Sequence, residues 1–145
     1  MPETVGVPVA SSFLLTELNR ALSREVSTCL RYLLQVASIK GAVWAPLRDL
    51  YALHVQEELG HAQYLANRIV MLGGEPLLEP DIDTPSSDPQ AMLNRDIGEE
   101  LADVERYLAL ADRAGKEGLI DLRLRMEAQA ADEARHADAL ARMTG

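Results

Sequence analysis

A chain of 145 residues, 48% of them hydrophobic, can bury one sizeable core. Its net charge of −9 argues against nucleic acid or an anionic membrane as partner, since both select Lys and Arg clusters, and its single cysteine, Cys29, excludes an intrachain disulfide. No uncharged apolar run approaches the roughly 18 residues that span a bilayer, and residues 1–15 lack the basic start of a signal peptide, so a cytoplasmic location is expected.

Helix is the favoured state. Leu and Ala supply 43 residues and Val, Ile and Thr only 19, and side chains branched at Cβ lose rotameric freedom in a helical turn. Residues 9–45, 47–75 and 90–145 contain no proline, whereas Pro76, Pro80, Pro85 and Pro89 crowd together. Proline costs about 3 kcal/mol inside a helix, so long helices belong in the free stretches.

In chain order, residues 1–10 read as a flexible tail without the basic residues of a DNA-binding arm, and residues 11–145 as one helical domain. A first helix is expected over 11–40, ended by Lys40-Gly41, with Leu14, Leu18, Leu22, Glu25, Cys29, Tyr32 and Val36 on its inward stripe. Cys29 is there a small core residue. A second helix, 46–72, starts on Pro46 and stops at Gly73-Gly74, with Leu47, Tyr51, His54, Glu58, His61, Leu65, Ile69 and Leu72 inward. Gly115 and Gly118 divide the remainder into two helices. The third, 88–114, turns Leu93, Ile97, Glu100, Val104, Leu108 and Ala111 inward. The fourth, 118–143, turns in Leu119, Leu122, Met126, Ala130, Glu133, His136, Leu140 and Met143. Such a helix is roughly 39 Å long, and the stretch from Gly73 to Pro89 can span that when extended. The expected fold is all-α: two antiparallel helical hairpins joined by a long crossover.

Every stripe carries a carboxylate near its middle, and none carries Lys or Arg. Glu58-Leu-Gly-His61 and Glu133-Ala-Arg-His136 are Glu-x-x-His motifs, whose spacing puts carboxylate and imidazole on one helical face. Glu25 and Glu100 are lone inward glutamates. One offset of 75 residues carries Glu25 to Glu100, Glu58 to Glu133 and His61 to His136, so a pseudo-twofold axis would bring all six to one level. A single motif of this kind is weak, because helix acids are common and usually face water. Two in register with two lone glutamates are much harder to dismiss.

Charge then points to metal. Four glutamates buried together without cations would each lose several kcal/mol of hydration and repel one another. Partial protonation relieves some of this; two divalent cations relieve all of it. Two imidazoles and four carboxylates without a thiolate suit iron or manganese better than structural zinc or calcium. Glu58 and Glu133 are the expected bridging ligands, with Glu25 and His61, and Glu100 and His136, as terminal pairs.

Beyond the motifs themselves, the runs Leu18-Asn19-Arg20-Ala21-Leu22-Ser23-Arg24-Glu25, Glu57-Glu58-Leu59-Gly60-His61 and Met71-Leu72-Gly73-Gly74-Glu75-Pro76 stand out, with Tyr32, Asp96 to Leu101, and Asp132-Glu133-Ala134-Arg135-His136. Through them the chain, from about Leu18 to Met143, resembles bacterioferritin within the ferritin-like di-iron superfamily. The resemblance implies a ferritin-like four-helix bundle with a ferroxidase centre formed by Glu25, Glu58, His61, Glu100, Glu133 and His136. That centre would take two iron ions per subunit, manganese being the alternative metal. The implied activity is oxidation of iron(II) by dioxygen or hydrogen peroxide, for iron storage, detoxification and homeostasis in a homo-oligomer.

Two positions depart from that pattern. Leu59 stands where the family's haem-ligating methionine follows the bridging glutamate, so haem bound that way is not expected. Nine residues follow His136 where the family continues into a short fifth helix lining a symmetry axis of its shell. A dimer, a smaller shell or a differently closed cage therefore stay open.

Several further residues admit two readings. Glu57 and Asp132 are either hydrogen-bond partners that fix the tautomers of the ligand histidines or solvated helix acids. Tyr32 either hydrogen-bonds or donates electrons near the irons, as the resemblance implies, or is a plain core tyrosine. His54 either gates iron or ligates it transiently, or is a satisfied core or rim histidine, the simpler reading. Gly60 inside a helix costs about 1 kcal/mol relative to Ala, which suggests close helix packing. The alternative function is a rubrerythrin-like di-iron peroxidase that scavenges hydrogen peroxide without storing iron. A manganese catalase and a non-enzymatic scaffold with protonated core acids stand further off.

Overall fold

The computed structural model describes residues 8–144. It contains four long helices, α1 (Ser12–Ser38), α2 (Ala45–Met71), α3 (Pro89–Lys116) and α4 (Ile120–Ala141), with one 3-10 turn, Ala42–Trp44, before α2. The expected helices are all present, their ends displaced by one or two residues. The third runs past Ala114 because Gly115 stays helical and Gly118 takes the left-handed turn, at φ 76°. Gly73 does the same for α2, at φ 92°. In both turns the next N–H reaches back five residues, Gly74 to the Ile69 carbonyl and Leu119 to that of Ala114, each at 2.9 Å.

Of the tail expected over 1–10, residues 1–7 lie outside the described residues. Ala10 is buried, and its N–H donates to the Leu72 carbonyl at 3.2 Å. Ser11 caps α1 by accepting from the Leu14 N–H, and Glu117 in turn holds the Ser11 N–H at 2.7 Å.

α1 packs chiefly on α2, and α3 on α4. The crossover runs alongside α1 on a ladder of side chains one helical turn apart. Asn19 accepts from the Leu77 N–H at 2.7 Å, Ser23 from that of Glu79 at 2.9 Å and Ser27 from that of Asp81 at 2.9 Å. Four helical residues rise about 6 Å and two extended residues about 6.6 Å, so a helix row of period four matches a strand of period two. The crossover thereby travels parallel to α1 and delivers α3 antiparallel to it. No helix among the described residues is long and apolar enough to cross a membrane.

The core is divided in two. One apolar cluster includes Leu18, Leu22, Leu65, Ile69, Tyr107, Leu122 and Met126. The other includes Tyr32, Leu47, Tyr51, Met92, Leu93 and Leu140. On every helix a buried glutamate falls between them: Glu25 after Leu22, Glu58 between Tyr51 and Leu65, Glu100 between Leu93 and Tyr107, Glu133 between Met126 and Leu140.

Three sequence expectations need correction. Leu108 is exposed and Tyr107 takes its inward place, one residue amounting to about 100° of rotation on a helix. Although the inward stripes carry no cation, Arg31 beside Tyr32 is buried. Its Nε donates to Asp96 at 3.0 Å, and Asp96 also accepts from Gln35 and from the Tyr51 hydroxyl. A buried guanidinium is tolerated there because its counter-charge is buried with it. Gly60, finally, does not serve helix packing: a Cβ built on it meets nothing within 4 Å. Gly60→Ala is accordingly expected to stabilise the protein by about 1 kcal/mol, read as an increase in the denaturant midpoint at unchanged slope.

Candidate metal centre

Glu25, Glu58, His61, Glu100, Glu133 and His136 meet between the two apolar clusters, none more than 4% exposed. They form two overlapping sets of four, Glu25–Glu58–His61–Glu133 and Glu58–Glu100–Glu133–His136, and within each set the donor atoms all lie within 4.8 Å of one another. Glu58 and Glu133 belong to both. Oε1 of Glu133 lies 3.3 Å from Nδ1 of His61 and 3.4 Å from Nδ1 of His136. Oε1 of Glu58 lies 3.9 and 2.8 Å from the same two nitrogens.

These approaches are not hydrogen bonds. Nδ1 of both histidines, both oxygens of Glu58 and of Glu133, and one oxygen each of Glu25 and Glu100 are buried without a hydrogen-bond partner. The contact from His136 to Glu58 is close, but lacks the alignment that a shared proton requires. The division among the carboxylates is informative. Glu58 and Glu133 each present two unengaged oxygens, whereas Oε1 of Glu100 accepts from Tyr32 at 2.6 Å and Oε1 of Glu25 accepts from Tyr107.

The far sides of the imidazoles are held across the helix pairs. Nε2 of His61 bonds Asp132 at 2.8 Å, and Nε2 of His136 bonds Glu57. Each acid that precedes one Glu-x-x-His therefore serves the histidine of the other. A proton on Nε2, shared with the carboxylate, leaves Nδ1 as the inward atom.

Electrostatics show a cluster that keeps its protons. Burial pushes the Glu25, Glu58 and Glu133 carboxyls up, Glu58 to about 8, and neighbouring carboxylates add to the effect at Glu25 and Glu133. Burial presses on Glu100 as well, but His136 and the Tyr32 hydroxyl outweigh it and hold Glu100 below its usual range. For the histidines, burial acts downward and the carboxylates prevail. Glu25 and Glu58 lift His61 to about 9, and Glu100 and Glu58 lift His136 to about 10. At His54 burial prevails: with His136 beside it, it outweighs the upward pull of Glu100 and Glu57 and takes the imidazole down to about 4.

Sequence reasoning missed Tyr107, the counterpart of Tyr32 on the opposite carboxylate. The offset of 75 that relates the glutamates and histidines also carries Tyr32 to Tyr107, so the signal was present. Asp96 was read only within a matching run, and nothing in its helical period marks it as the partner of Arg31. Leu59 is exposed.

Comparison with known proteins adds context to this geometry. The family model for a ferritin-like domain matches residues 15–143. Among solved structures, the ferritin-like di-iron-carboxylate protein of Bacillus anthracis is 28% identical with a TM-score of 0.88, over 94% of this chain and 100% of that one. The bacterioferritin of Desulfovibrio desulfuricans is 25% identical with a TM-score of 0.82, over 91% and 78% of the two chains. The bacterioferritin-related protein of Bacteroides fragilis, a dodecameric thioferritin, is also 25% identical, with a TM-score of 0.77 over 91% and 86%. A search of curated proteins finds no match.

Proposed function

The chain belongs to the ferritin-like domain family, and from that premise we propose that it is a di-iron ferroxidase, oxidising iron(II) for storage and detoxification. The observation that carries this reading is the set of eight buried donor atoms, on six residues, that have no hydrogen-bond partner. A buried polar atom left unsatisfied costs about 1–3 kcal/mol, and eight at one level of a core make sense as a cradle for cations. Six oxygens and two nitrogens without sulfur suit iron.

The residues divide the work. Glu58 and Glu133, with both oxygens unengaged, suit bridging; Glu25 and Glu100, each with one oxygen tied to a tyrosine hydroxyl, suit terminal ligation. Asp132 and Glu57 keep the Nε2 protons outward, so that the Nδ1 lone pairs of His61 and His136 face the substrate. Two iron(II) ions held side by side each lose one electron, and dioxygen takes both with two protons to become hydrogen peroxide, or peroxide takes them to become water. The protons that the cluster holds at neutral pH leave as iron arrives.

Storage further requires a shell. The dodecameric relative from Bacteroides fragilis and the exposed apolar side chains Leu33, Leu34, Leu53 and Leu59 on the α1–α2 hairpin support a homo-oligomer. The test adds iron(II) aerobically to metal-free protein and follows ferric absorbance together with particle mass. Turnover far beyond two irons per chain, with a growing mineral mass, is expected. Oxidation that stops at two irons, with turnover sustained only by peroxide, would overturn storage and favour a peroxidase.

A further inference from the structure

The two halves of the site match at the six donor residues and at Tyr32 and Tyr107, but not behind the tyrosines. Against Tyr32 lies a second fully buried tyrosine, Tyr51, with ring centroids 4.9 Å apart and planes tilted by 56°. Its hydroxyl donates at 2.6 Å to Oδ2 of Asp96, a fully buried carboxylate that also accepts from Gln35 at 2.8 Å and from Arg31 at 3.0 Å. Since Tyr32 donates to Glu100, one unbroken chain of contacts runs from the donor cluster through Tyr32 and Tyr51 to Asp96. The other half has no counterpart: the offset of 75 carries Tyr51 onto Met126 and takes Asp96 back to Ala21. A phenylalanine would fill the place of Tyr51 without burying a hydroxyl, a carboxylate and a guanidinium together. Packing alone does not account for the arrangement.

We propose that Tyr51 is a reserve electron donor, giving one electron by way of Tyr32 when hydrogen peroxide meets a centre that holds a single iron(II), with Asp96 taking its proton. The inference rests on the reading of the cluster as an iron-oxidising centre. Peroxide needs two electrons to become water, and a lone iron(II) supplies one; the shortfall would release a hydroxyl radical inside the core. With Tyr51 the step balances. Iron(II) and Tyr51 give one electron each, peroxide takes both with two protons to become two waters, and the phenolic proton passes to Asp96 along the hydrogen bond already formed. The ring is left as a neutral phenoxyl radical, so no charge is stranded on it in the core. Tyr32 is less suited to hold the oxidised state, because its proton partner Glu100 belongs to the donor cluster, where a cation competes for the carboxylate. Asp96 stands outside both sets of four. When Asp96 takes the proton, Arg31 loses that counter-charge, but Arg31 lines a groove between α1, the crossover and α3 together with Glu99.

The test loads protein anaerobically with one iron(II) per chain, mixes it with one equivalent of hydrogen peroxide and freezes samples at successive times. Electron paramagnetic resonance reads the radical, ring-deuterated tyrosine identifies it as tyrosyl, and a spin trap collects hydroxyl radical in parallel. The wild type is expected to give a tyrosyl spectrum and little trapped hydroxyl radical. Tyr51→Phe, which keeps the ring, should lose that spectrum and trap more hydroxyl radical. Asp96→Asn, whose amide cannot take the proton, should weaken the signal although both tyrosines remain. Tyr64→Phe, remote from the chain of contacts, should leave it unchanged, and thermal unfolding checks that each variant is folded. The wild-type spectrum persisting in folded Tyr51→Phe would overturn the inference. So would wild-type protein that oxidises its iron without a tyrosyl signal, and in both cases the iron-oxidising centre would stand. Wild-type protein that leaves iron(II) unoxidised by peroxide would overturn the underlying reading as well.

Discussion

Glu58→Ala is expected to lower the initial rate of aerobic iron(II) oxidation by about 100-fold or more, while the metal-free protein stays folded. Glu58 is fully buried, belongs to both four-residue donor sets, and presents two oxygens that nothing else engages. Its loss therefore strikes both cation positions at once. Replacing a group that only supports a metal ligand costs about 10–100-fold, and a shared ligand should cost more. Stability should move differently from activity. The carboxyl is held up at about 8 by burial, so it sits in the core largely protonated and poorly satisfied, and removing such a group relieves a desolvation penalty that offsets the small cavity left behind. Initial rates by ferric absorbance and thermal unfolding of the metal-free variant separate the two effects. A folded variant that oxidises iron at the wild-type rate would remove Glu58 from the centre.

The second large effect is on stability as a function of pH. His61 and His136 have folded values of about 9 and about 10, against about 6.5 for a free imidazole. A raised folded value means that the native state holds a proton which the unfolded chain has released. The stabilisation from these protons is complete below about pH 6.5 and is lost as pH rises through 9 to 10. Burial raises Glu25, Glu58 and Glu133 as well, and an acid whose folded value is raised has the same sign: the native state binds more protons than the unfolded one. Metal-free protein should therefore lose a few kcal/mol of stability between about pH 6 and pH 10. Divalent cations replace those protons, so the stabilisation conferred by metal should grow with pH over the same range. Denaturant melts with and without metal at several pH values test both slopes. Metal-free stability that is flat or rising across this window would show that the cluster is not the proton store described.

Much of the centre was legible in the sequence because its residues obey helical arithmetic. Glu58 and His61 share a face at a spacing of three, and so do Glu133 and His136; the offset of 75 then places both pairs and both lone glutamates at one level. What remained hidden were partners on other helices. Glu57 reaches His136, not the histidine of its own motif, and Asp132 likewise reaches His61. Which acid meets which histidine depends on the rotation and stagger of neighbouring helices, and no single helix's period records either. The burial of Arg31 follows the same logic, since it is set by Asp96 on α3.

Composition, proline and glycine placement, and apolar periodicity were thus enough to determine the four helices, their order and the residue types at their centre, because those follow from local backbone energetics and from which face avoids water. The tertiary structure alone decided which oxygens are left unengaged, which tyrosine holds which carboxylate, and that His54 stacks on His136. Those depend on side chains meeting across helices at ångström separations, where one residue of rotation exchanges Leu108 for Tyr107.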